Sequence, residues 1–148
     1  MKNDMRITYP LWQMGAILLM ILFTLLYGLS SYITNSILGI IFLLIIVYLV
    51  LLFWNIAKHN KRMPNQKITI FSWKPQEYMD DDELFQEITK RATKKVYSYF
   101  VWSIPLLAGL SLGLSLGTIA VIVALLLLSF GQYLIYYREI RKYMGADE

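Results

Sequence analysis

The chain has no cysteine, only one histidine, and two long stretches without a single charged residue. The missing cysteine excludes disulfides, thiolate chemistry, iron–sulfur clusters and cysteine-based zinc sites. One histidine is too few for the axial pair of a transmembrane haem or for the ligand set of zinc. Residues 7–57 and 96–137, 51 and 42 in number, include no Asp, Glu, Lys, Arg or His. Neither stretch can therefore hold a Ser-His-Asp or Cys-His set. Proton pumps, ion-coupled transporters and voltage sensors usually place ionisable groups within the membrane, and these stretches offer none. A Gly-rich phosphate loop and a His-Glu-x-x-His motif are also missing.

What is present is apolar. Hydrophobic residues make up 57% of the 148 and charged residues 16%, a balance shifted away from that of a soluble domain. One transmembrane helix needs about 20 apolar residues, so each uncharged stretch has room for two helices and a turn. The first stretch divides in the small and polar residues around Gly28, Ser30, Ser31, Thr34, Asn35 and Ser36. Its helices are expected over 11–27 and 36–57. The second divides among Gly109, Gly113 and Gly117, with helices expected over 96–112 and 117–137. Pro105 should kink or loosen the third helix. The fold expected is all-α: a four-helix transmembrane bundle of two antiparallel hairpins, forming one membrane domain over 1–148.

Charge sets the orientation. All 14 basic residues lie in the N-terminal segment, the 58–95 loop or the 138–148 tail, and neither turn carries one. The positive-inside rule then places both termini and the loop in the cytoplasm. Tyr9, Trp12, Trp54, Tyr97, Tyr99, Trp102, Tyr133, Tyr136 and Tyr137 lie near the same edge, as an interfacial belt would. A cleaved signal peptide is the rival reading of the N-terminus. The apolar run is long for one, and a second helix follows it directly.

The loop has three parts. Lys58, Lys61 and Arg62, with Lys94 and Lys95 at its other end, are candidates for contact with anionic lipid, or serve as a topology signal alone. His59, between cations, reads as solvated surface. The segment 67–74 has the character of a short extended piece on the membrane surface, anchored by Phe71 and Trp73. An amphipathic helix is expected from about 81, leading into the third transmembrane helix either through a turn at Lys94 and Lys95 or straight on. Asp80 and Glu83 resemble its capping box, and Glu87 pairs with Arg91 one turn on. Leu84, Phe85, Ile88 and Ala92 give it an apolar face, offered to the membrane surface, the underside of the bundle or a partner helix. Asp80, Asp81 and Asp82 also invite a divalent-metal reading, but consecutive acids on a helix diverge and no calcium-loop spacing follows.

Within the membrane, Gln13, Asn55, Ser103, Ser129 and Gln132 are the polar residues of note, available for hydrogen bonds between helices or for lining a cavity. Gly109, Gly113 and Gly117 keep GxxxG spacing, which serves a turn with local packing or an oligomer interface. The function expected is non-enzymatic, through protein–protein contacts. It would be that of an accessory or regulatory subunit or an immunity-like protein of a bacterial inner membrane. Two rivals come from other classes: an oligomeric pore or transporter for a small solute, and a metal-dependent lipid-modifying enzyme using Asp80, Asp81 or Asp82. The partners expected are the bilayer and a membrane protein or a second copy of the chain, with no cofactor, metal or nucleic acid.

Overall fold

A computed structural model describes residues 5–28, 35–64, 68 and 83–144. They form four α-helices: α1 (Met5–Gly28), α2 (Asn35–Arg62), α3 (Glu83–Gly113) and α4 (Thr118–Met144), with no strand among them. All four are long and apolar enough to cross a membrane. The protein is a multi-pass membrane protein. At 1.5 Å per residue the helices measure roughly 36–47 Å, more than the ~30 Å hydrocarbon layer.

Local chemistry accounts for the helix ends. Pro64 disfavours a helical residue before it, and α2 stops at Arg62, with His59, Lys61 and Arg62 at the negative end of its dipole. Glu83 occupies the first turn of α3, where a carboxylate suits the dipole. This helix runs unbroken for 31 residues, so the residues from 83 to 95 and the third span are one element, and Pro105 lies inside it without ending it. At its far end the Leu116 N–H donates to the Ser111 carbonyl (3.1 Å) and the Ser115 N–H to that of Leu112 (3.4 Å). Ser115 has φ 48°. This is a Schellman cap, with serine where glycine is usual.

Packing runs α2–α1–α4–α3, as a row. The most extensive interface joins α1 to α4; α2 packs on α1 and α3 on α4. Among the described residues the backbones of α2 and α3 do not approach each other. Neighbouring helices meet in opposite order. Met5 packs with Leu52 and Ile56, Trp12 lies 5.3 Å from Tyr48 between ring centres, and Phe23 lies 6.2 Å from Phe42. A Cβ on Gly28 would meet Ile119, and Ile7 packs against the cluster that holds Ile140. The four charged helix ends are thereby gathered at one end of the molecule.

Two glycines accept tyrosines at these seams. The Tyr48 hydroxyl of α2 lies over Gly15 of α1, where an added Cβ would collide with it, and donates to the Trp12 carbonyl at 2.8 Å. Tyr99 of α3 lies over Gly131 of α4 in the same way. By contrast, nothing lies within 4 Å of a Cβ added to Gly109, Gly113 or Gly117. Among the described residues nothing packs on these three, and their place is that of the turn. Gly113 is the last residue of α3 and Gly117 precedes α4, so the GxxxG spacing spans a helix break and presents no continuous face.

Candidate functional site

Side chains with recognisable chemistry collect at the charged end. Two apolar clusters form its interior. Met5, Leu52, Ile56 and Ile68 make the first, flanked by Tyr9 and Trp12. Phe85, Ile88 and Ile140 make the second, flanked by Ile7 and Tyr136. Burial on α2 follows one stripe, Ile41, Ile45, Leu52, Ile56 and His59, spaced three, four and seven residues apart. His59 is thus buried, not solvated. Its position three residues after Ile56 and seven after Leu52 turns it inward.

Each cluster carries a polar tie. Beside the first, the Asn60 side-chain amide pairs with both backbone groups of Ile68: Nδ2 donates to the carbonyl at 3.0 Å, and the Ile68 N–H donates to Oδ1 at 2.9 Å. An amide that satisfies a peptide unit from both sides substitutes for a neighbouring strand. It seats the Ile68 side chain among Met5, Leu52 and Ile56. Phe71, Trp73 and the remainder of 67–74 lie outside the described residues. Beside the second cluster, the Arg6 guanidinium sits 4.5 Å from the centre of the Phe85 ring, a cation–π contact between α1 and α3. Lys95 of α3 donates to Glu139 of α4 at 2.6 Å. Thr89, also buried, bonds back to the Phe85 carbonyl at 2.7 Å.

Of the face expected against the membrane surface, the underside of the bundle or a partner helix, three residues are buried within the chain. Phe85, Ile88 and Ala92 are buried, with Ile140, Ile7 and Tyr136 packed against the first two. The side chain of Leu84 and the acids Asp80, Asp81 and Asp82 fall outside the description. Glu87 and Arg91 form the expected ion pair on the exposed side of α3.

A basic rim surrounds this interior. Lys58, Lys61, Arg62 and Lys94 are exposed, as lipid contact requires. Lys95 differs, because its ammonium is engaged by Glu139. Among the described residues, concavities open in the rim on α2 and on α4. One, of about 260 Å³, is lined by Trp54, Ala57, Lys58 and Lys61 of α2. The other, of about 360 Å³, is lined by Leu134, Tyr137, Arg138, Arg141 and Lys142 of α4. The aromatic belt splits between two duties. Trp54, Tyr97 and Trp102 point outward, 70–80% exposed, whereas Tyr99 lies against Gly131 between helices, as Tyr48, outside the belt, lies against Gly15.

The polar residues of the spans mostly bond to their own helices. Gln13 donates to the Tyr9 hydroxyl at 2.8 Å, and Asn55, Ser103 and Ser129 donate to the carbonyls of Leu51, Tyr99 and Leu125. Asn55 belongs to α2, while Ser129 and Gln132 belong to α4, and those helices do not pack together. A continuous polar path through the described helices is not assembled. Compared with protein-family models, characterised proteins and solved structures, the chain matches none of them.

Proposed function

We propose that the protein is a non-enzymatic membrane component that acts by contact with other proteins, as an accessory or regulatory subunit or in an immunity-like role. Its four helices make two hairpins in a bacterial inner membrane, with both termini and the amphipathic start of α3 in the cytoplasm. The observation that carries this reading is the open row. Along the spans the backbone of α2 approaches α1 alone and that of α3 approaches α4 alone, with α1 reaching α3 only through Arg6 and Ile7 at the charged end, so among the described residues the outer flanks of α2 and α3 are uncovered within the bilayer. In lipid, helices associate through close packing and hydrogen bonds and not through release of water, and an unmatched flank is where another helix would be accommodated. The gathering of Arg6, Lys58, Lys95 and Arg138 near one end supports the orientation by the positive-inside rule.

The test is recovery of the tagged full chain in mild detergent after cross-linking in the membrane. A stoichiometric membrane-protein partner or a defined homo-oligomer, cross-linked through the outer flank of α2 or α3, is the expected result. A monodisperse monomer with no cross-linked companion overturns the reading.

A further inference from the structure

The α4 concavity has the features of a site for one kind of ligand. Arg138, Arg141 and Lys142 are exposed, and none has a hydrogen-bond or ion-pair partner among the described residues. Spacings of three, four and seven residues place them on one face of α4 with Leu134 and Tyr137. The only acid on α4, Glu139, is buried and held by Lys95, so no carboxylate of this helix offsets the three cations. The geometry points to a binding site for the phosphate-bearing headgroup of an anionic phospholipid.

Position along the helix decides in favour of lipid over a soluble phosphate. Arg138 is the first charge after 42 uncharged residues, so the concavity straddles the boundary between hydrocarbon and headgroup layers. Its apolar part, Leu134 and Tyr137, lies on the hydrocarbon side, where glycerol and the first acyl carbons would rest. The cations lie one turn further out, where the phosphate would be. A free anion gains nothing from the apolar part. Two guanidiniums can each grip phosphate oxygens in pairs, which an ammonium cannot do. The α2 concavity repeats the order, with Trp54 and Ala57 before Lys58 and Lys61, but supplies two point charges and no guanidinium. It should hold lipid more weakly. This inference does not depend on the protein-partner reading.

The experiment uses the full chain in vesicles of phosphatidylcholine and phosphatidylglycerol, extracted in mild detergent, with retained lipid counted by native mass spectrometry. Wild type should keep phosphatidylglycerol selectively, and R138Q/R141Q/K142Q should lose its retention by about tenfold or more. K58Q/K61Q/K94Q removes the same charge at the same boundary and should keep most of the lipid. Equal retention by wild type and the α4 variant overturns the proposal, as does equal loss in both variants, which would report net charge alone. Displacement by inorganic phosphate overturns the lipid assignment. A measurement on wild type is independent of variant folding. A phosphatidylglycerol carrying a photoreactive group near its phosphate should label 134–142 in preference to 54–61, and preferential labelling elsewhere overturns the site.

Discussion

At the charged end, Ala92 and Ile140 have no exposed surface, while on the far half of α3 Leu112 is 84% exposed. The same chain uses two different solvents. Near the basic residues, side chains from all four helices close over Phe85, Ile88, Leu52 and Ile56, as in a small water-soluble core where burial removes apolar surface from water. Within the span, burying leucine gains little, because lipid is as apolar as the leucine. There the seams rest on shape and single hydrogen bonds, such as Tyr48 on Gly15 and the Trp12 carbonyl. Stability is expected to be concentrated where water reaches, and folding specificity where it does not.

Thermal unfolding in mild detergent can break that contrast. The largest effect is expected for Ile140→Ala, which opens a void between α1, α3 and α4 and should cost about 2–4 kcal/mol. Leu112→Ala, its counterpart in the span, should stay within about 0.5 kcal/mol. Similar losses at both sites would mean that burial does not divide the molecule. Asn60→Ala should follow, at about 1–2 kcal/mol, because it removes both bonds to Ile68. Increased proteolysis next to residue 68, without loss of α1–α4 packing, would place the effect at the first cluster.

Glu139→Gln should cost about 1 kcal/mol or less, since the side chain of Lys95 is 55% exposed and water screens the pair. Its loss should shrink as salt is raised, and a salt-independent loss would point to packing. The smallest change expected is a gain: Ser115→Gly relieves a left-handed residue and should stabilise by up to about 1 kcal/mol. A loss there would show that the serine side chain contributes to the turn.

Much of the helical layout is legible in the sequence, because bilayer thickness and the avoidance of charge leave few ways to place the spans. Helix ends are less so. The apolar limits of 36–57 and 96–112 lie inside α2 and α3, which continue into the charged end. The row order is not legible, since α2 from Ile40 to Phe53 is apolar on every side and its pattern names no neighbour. His59 follows once the buried side of α2 is known, because its spacing from Leu52 and Ile56 places it on that stripe, but the sequence does not say which side is buried. The three evenly spaced glycines lie at or near the α3–α4 turn, with Gly113 ending α3 and Gly117 preceding α4; spacing alone does not separate that placement from a packing face. The useful glycines, Gly15 and Gly131, stand alone and become visible only once a tyrosine lies over them. The α4 concavity had a signal in the sequence, three cations on one helical face directly after an uncharged run.

The broadest seam among the described helices joins α1 to α4, which is made after it and after the two helices between them. While the chain is being synthesised, α1 enters the bilayer with α2 for company, and its other side must wait in lipid until α4 arrives. Assembly therefore finishes late, by a closure between sequence-distant partners. A stalled or shortened product ending before residue 118 would leave α1 with that side bare, which gives membrane quality control a simple mark by which to recognise an unfinished copy.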